Sequence, residues 1–174
     1  TLVENFTERL AKLSGLDMQV SSERGANFLV MFLDQSEQQD FAGALKRRYP
    51  FIEPAVIDAF RNSPPEIFCV AYAFAHTDNP EKYAAALVLV KAEHGPRMRE
   101  SCVHEEMAQA MGLANDSRTA RPSIFNDDEE FALLTRHDEI LLRMLYDPRL
   151  QPGMSRSEAL PYLPTIAAAA AGGS

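Results

Sequence analysis

At 174 residues, 46% of them hydrophobic, the chain has enough apolar material for one compact domain with a sizeable core and is too short for two. Its formal net charge of -8 gives phosphate backbones and anionic headgroups no attractive field, which excludes nucleic-acid binding and membrane-surface adhesion as first readings. No apolar run reaches the roughly 18 residues of a membrane-spanning helix, and no charged-then-apolar leader opens the chain.

The chain starts at Thr1, which leaves room for a signal or anchor segment upstream. Leu2, Phe6, Leu10 and Leu13 recur at helical spacing, predicting an amphipathic first helix that Gly15 ends. Ala26 to Leu33 is short, apolar and rich in branched and aromatic residues, and is expected to be a buried central strand. Ser36, followed by Glu37, reads as the start of a helix that runs to Arg48 before Tyr49-Pro50 breaks it; a second short helix begins at Pro54. Phe68 to Ala75 and Ala84 to Val90 are further strands, separated by the turn-forming His76-Thr77-Asp78-Asn79-Pro80.

From Arg97 the pattern turns helical, with Val103, Met107, Ala110 and Met111 on one stripe and Gly112 as the terminator. At about 100° per residue, Cys102, Glu105, Glu106 and Gln109 lie on the neighbouring face. An irregular stretch from Ala114 to Glu130 follows. Thr135 then caps a last amphipathic helix carrying Ile140, Leu141, Met144 and Leu145 on its apolar side, and Asp147-Pro148 and Pro152-Gly153 end the ordered pattern. The expected organisation is one domain over residues 1–165 and a disordered Ala/Gly tail over 166–174.

The chain holds two cysteines, Cys69 and Cys102, too few for a four-ligand structural zinc site. Either they pair, pinning the helix to a strand, or they are two unrelated buried thiols. His76, His94 and His137 lack ligand spacing, and His104-Glu105 begins an H-E-x-x-H string that fails at Ala108, where the second histidine should be; His104 is read as a solvent or packing residue. Arg118 and Arg121 are expected to pair with the acidic run Asp127 to Glu130, itself read as a solvated face or helix start. No Ser-His-Asp order, glycine-rich phosphate loop or aromatic-basic stripe is present.

The run Glu105-Glu106-Met107-Ala108-Gln109-Ala110-Met111-Gly112-Leu113-Ala114-Asn115-Asp116 resembles the zinc helix of metzincin peptidases, H-E-x-x-H-x-x-G-x-x-H, with each histidine replaced. Glu106 stands at the general-base position and Gly112 at the glycine, while Glu105, Gln109 and Asn115 stand where imidazoles belong. Ser123-Ile124-Phe125-Asn126 is similar to the Met-turn, with Phe125 in place of the methionine. Leu134-Thr135-Arg136-His137-Asp138 followed by Leu145-Tyr146 is similar to the helix that comes after it. The resemblance implies a metzincin-like α/β (α+β) domain, a small twisted sheet packed against the long helix, with a cleft along Glu105, Glu106, Gln109, Asn115 and Asp116. Glu105, Gln109 and Asn115 (or Asp116 in a register shifted by one) would be the ligands of any metal. Such an oxygen set suits calcium or magnesium better than zinc, so no metal cofactor is expected, with zinc or another divalent cation as the alternative. Glu106 is the candidate catalytic residue, a general base or acid with a raised pKa; the plainer reading has it hydrogen-bonding backbone or Asn115 to hold the loop after Gly112.

Cys102 through Asn115-Asp116, Ser123 to Asp127, and Leu145-Tyr146-Asp147-Pro148-Arg149-Leu150 with Pro152-Gly153-Met154 together resemble domain of unknown function 2927, a proteobacterial envelope family described as lipoproteins. This implies an exported domain, periplasmic or tethered to the outer membrane through an N-terminal lipid, and favours a Cys69–Cys102 disulfide. The function expected is a binding or accessory module for a peptide, glycan or envelope protein, without classical zinc catalysis. The alternative is a peptidase-like hydrolase using Glu106 as base with an unusual metal set or none.

Overall fold

The computed structural model describes residues 1–21, 25–126 and 131–172. Among these the elements in chain order are α1 (Leu2–Ser14), β1 (Phe28–Leu33), α2 (Gln35–Arg48), α3 (Pro54–Arg61), β2 (Cys69–Ala75), β3 (Tyr83–Lys91), α4 (Pro96–Ala110), α5 (Arg136–Leu145), α6 (Arg156–Ala159) and α7 (Leu163–Gly172). The three strands make one mixed sheet in the order β1-β3-β2, with β1 parallel and β2 antiparallel to β3.

The continuous apolar run of β3, Ala-Ala-Ala-Leu-Val-Leu-Val, is that of a strand covered on both faces. Ala86, Val88 and Val90 point into a core shared with α1, α4 and α5, while Ala85, Leu87 and Leu89 point into a second core under α2 and α3. Alternate residues of the neighbouring strands follow: Phe28, Val30, Phe32, Cys69 and Ala71 join the first core, and Leu29, Met31, Leu33, Val70, Tyr72 and Phe74 the second. The central strand is therefore β3, and the strand expected at the centre, β1, lies at an edge of the described sheet. Apolar content is similar in the two, so only the pairing separates them.

Three further expectations are corrected. The N-cap of α2 is Asp34, not Ser36: its side chain accepts from the Glu37 N–H and Glu37 reciprocates on the Asp34 N–H. On α5 the fully buried positions are Asp138 and Leu142, while Leu145 is exposed, because the helix presents a narrower edge to the core than its apolar stripe suggests. The chain beyond Gly153 forms α6 and α7 where a disordered tail was expected over residues 166–172. Alanine is the strongest helix former, and Ile166 and Ala170 give α7 a buried edge. Arg136 and Arg143 of α5 donate to the Ala171 and Ala170 carbonyls, satisfying the end of α7.

Helix α4 lies between the sheet and α1, and its burial extends well beyond the predicted stripe to Cys102, His104, Glu106 and Ala108. A disulfide joins Cys69 on β2 to Cys102 on α4, with the Cα atoms 5.8 Å apart. His104 stacks on Phe6 with ring centroids 4.1 Å apart and accepts the Leu134 N–H at Nδ1, so it is a packing residue that ties α4 to α1 and to the entry of α5.

The segment before α5 is held by Asp138, which is fully buried and accepts from Ser123 Oγ, the Ile124 N–H, the Thr135 N–H and Thr135 Oγ. Asn126 closes the same loop by donating to the Arg118 and Ala120 carbonyls. Replacing Asp138 with Ala strands these donors, so Asp138→Ala should cost about 3 kcal/mol or more in a urea unfolding titration. An unchanged midpoint would show that the clamp contributes nothing.

Burial first, and then the nearby Arg9 charge, hold His104 neutral and lower its pKa to about 4 from the usual 6.5. The unfolded chain takes up this proton at higher pH than the folded one. The group's contribution is therefore complete above pH 6.5 and lost as pH falls toward 4, a loss of about 3 kcal/mol. Unfolding titrations from pH 7 to 4 should show the wild-type chain losing its advantage over His104→Gln across that window; a pH-independent difference would contradict the assignment.

Candidate functional site

The face of α4 beside the edge strand β2 carries the polar residues picked out by sequence. Gly112 ends the helix with φ 117°, a conformation that disfavours any side chain, and a Cβ there would also press on Leu145. The chain turns back at this point and brings Asp116 to Gln109, whose Nε2 donates to Asp116 Oδ1 at 3.0 Å. Glu105 is half-buried and Glu106 buried, and a ligand atom from each lies with Cys69 Sγ in a group spanning no more than 4.8 Å.

Glu106 reaches the β2 backbone and accepts a hydrogen bond from the Ala71 N–H. Its pKa is pushed up to about 8, chiefly by burial and next by the Glu105 carboxylate; the Ala71 bond opposes this and Asp116 adds to it. The side chain therefore holds a proton at neutral pH. Tyr72 and Tyr146 are also raised above the usual phenol value, each first by burial, then by Glu106 and by Tyr83 respectively. The Tyr146 hydroxyl donates to the Met111 carbonyl at 2.8 Å, fixing the far end of α4.

On its outer side β2 pairs with no other strand among the described residues. The Phe68 carbonyl accepts the Lys91 N–H, so even-numbered residues turn their backbone groups toward β3 and those of Cys69, Ala71 and Ala73 face outward. An open groove of about 470 Å³ runs beside this edge, lined by Phe51, Glu53, Val56 and the stretch Ala71 to Ala75. Phe51 is half exposed and meets Phe74 edge-on at 6.1 Å.

Glu105, Glu106, Gln109 and Asp116 are thus brought together, and Asn115 is exposed on the same loop. The backbone partner expected for Glu106 is found on β2, not in the loop after Gly112. Phe125 is buried in the core with Met107, and Arg118 and Arg121 are exposed; the acidic run 127–130 proposed to pair with them lies outside the described residues. Sequence reasoning missed Phe51, Glu53, Val56 and the β2 edge itself. The signal was present in Cys-Val-Ala-Tyr-Ala-Phe-Ala, where small and large side chains alternate with period two.

As a donor set for a cation the cleft offers carboxylates and amides. Cys69 sulfur is committed to the disulfide, and His104, the histidine nearest in sequence, is turned away toward Phe6 and Leu134. Oxygen donors of this kind match hard cations better than zinc.

The chain belongs to the family described as Protein of unknown function (DUF2927), whose family model matches residues 1–165. Comparison with curated proteins and with solved structures found no match.

The raised Glu106 value has a consequence for stability. Above pH 4.5 the unfolded chain has released this proton while the folded chain keeps it until about pH 8, so the group's contribution falls as pH rises through that window. Glutamine retains an acceptor for the Ala71 N–H and carries no charge. Glu106→Gln should therefore be more stable than wild type at pH 8, by on the order of 3 kcal/mol, and nearly equal to it at pH 4.5. A variant that is less stable throughout would show that the carboxylate serves the fold.

Proposed function

We propose that this member of a family of unknown function is a binding module that captures an extended polypeptide segment along the free edge of β2, beside the carboxylate face of α4. The observation that carries this reading is the edge itself. Outward backbone groups of Cys69 and Ala73 and the outward Ala71 carbonyl form a template for a further strand, the Ala71 N–H being held by Glu106, with a groove on one side and Glu105, Glu106, Gln109 and Asp116 on the other.

Classical zinc catalysis has no part in the proposed activity, since the histidine positions of the metzincin-like motif hold Glu105, Gln109 and Asn115. Descent from a metzincin-like fold is supported by Gly112 in the left-handed position after α4 and by the Asp138-clamped turn at Ser123 to Asn126. An exported, periplasmic or lipid-tethered envelope setting is supported by the disulfide, which persists in oxidising compartments, and by the family resemblance. No described helix is long and apolar enough to cross a membrane.

A hydrolytic role for Glu106 is the second reading, favoured by its buried position in the cleft. A carboxylate that keeps its proton to about pH 8 acts as a general acid at neutral pH; work as a base requires a cation beside it to draw the proton off.

Proline at Ala73 removes an outward N–H and leaves the β2–β3 ladder intact. Ala73→Pro should fold normally by circular dichroism and lose at least tenfold in affinity for extended peptides bound by the wild-type chain, measured by fluorescence anisotropy. Unchanged affinity in a folded variant would place binding elsewhere.

A further inference from the structure

Resting on that strand-capture reading, we infer that the segment bound has a two-residue repeat, with basic side chains facing α4 and bulky apolar side chains facing the Phe51 groove. The geometry of β2 sets this pattern. Its odd-numbered residues, Cys69 and Ala71, point to the α4 side of the sheet, and its even-numbered residues, Tyr72 and Phe74, point to the α2 and α3 side. A strand added at the edge continues the same pleat, so its side chains divide between the same two sides in strict alternation.

The two sides offer different chemistry. Toward α4, β2 contributes only alanine beyond Cys69, which leaves room beside the strand, and the neighbouring groups are the Glu105 and Asp116 carboxylates, the Glu106 carboxyl and the Gln109 amide. Glu105 and Asp116 are close enough to Glu106 to disfavour its ionisation. A lysine or arginine placed there relieves that repulsion, whereas an acidic side chain adds to it. Toward α2 and α3, the groove presents Phe51, Val56, Tyr72 and Phe74, with the Glu53 carboxylate at its margin. Phe51, half exposed, supplies an aromatic face for an apolar or aromatic side chain of the incoming strand. The pattern thus separates two requirements that a non-repeating peptide cannot meet at once, since shifting it by one residue exchanges every side chain between the two sides.

Three labelled nine-residue peptides test this by fluorescence anisotropy: one alternating Lys with Phe or Val, one of the same composition with the lysines and apolar residues in separate blocks, and one alternating Glu with Phe or Val. The alternating basic peptide should bind at least tenfold more tightly than either of the others. Phe51→Ala should weaken it severalfold, and Glu105→Gln should narrow its advantage over the acidic peptide. Backbone amide shifts on binding should concentrate in Cys69 to Ala75. Equal affinity for all three peptides, abolished by Ala73→Pro, would overturn the pattern and leave strand capture standing. Binding that ignores Ala73→Pro, or no binding by any peptide with no shifts in β2, would remove strand capture and the pattern with it.

Discussion

The burial of α4 between the sheet and α1 is the constraint on which the other elements depend. On a helix covered this extensively, the polar residues that face inward must each find a partner or bear a desolvation cost. His104 finds Phe6 and the Leu134 N–H, and in doing so sets where α1 and the entry of α5 lie. Cys102 bonds to Cys69 and fixes the height of the helix against β2. The loop closed by that bond spans 33 residues, so in the chain-entropy picture it removes on the order of 3–4 kcal/mol of unfolded-state freedom. The position of Glu106 against the sheet edge follows from these contacts.

Two buried carboxylates, Asp138 and Glu106, show how differently such groups can be treated. Asp138 has four donors, two of them backbone N–H groups, and accounts for its burial through the loop it organises. Glu106 has the Ala71 N–H and faces two further acids, Glu105 and Asp116. A fold optimised for stability alone would place an apolar or amide side chain there. An acid kept where its ionisation is disfavoured, beside a strand edge, is the observation that the proposed binding role accounts for.

Much of this was legible in the sequence because it was written in local signals. The α1 stripe with Gly15, the Thr135 cap, the strand boundaries around His76 to Pro80, and the grouping of Glu105, Glu106 and Gln109 all follow from periodicity and capping chemistry. What escaped depends on tertiary pairing. No local rule separates β1 from β3 as the central strand, since both are apolar runs of similar type. The Ala-rich end of the chain reads as featureless until α5 supplies a surface for Ile166 and two arginines for the last carbonyls. Phe51, Glu53 and Val56 belong to the connection into α3 and to α3 itself, and meet β2 only because α2 and α3 fold back across the sheet.

An open strand edge ordinarily invites pairing with a second copy of itself, and natural proteins blunt such edges with charge, bulges or short length. The β2 edge carries two of these devices. A register irregularity falls between Phe74 and Ala75, and Glu106 occupies the outward N–H of Ala71. Symmetric pairing of two copies along β2 would bring both sets of Glu105, Glu106 and Asp116 toward one another in a chain that already carries a net charge of -8. The acids that make the site unfavourable for the fold therefore also make the edge unfavourable for self-association. In the proposed role, selectivity against a like partner and affinity for a basic one come from the same acids, at an edge that no other described strand pairs with.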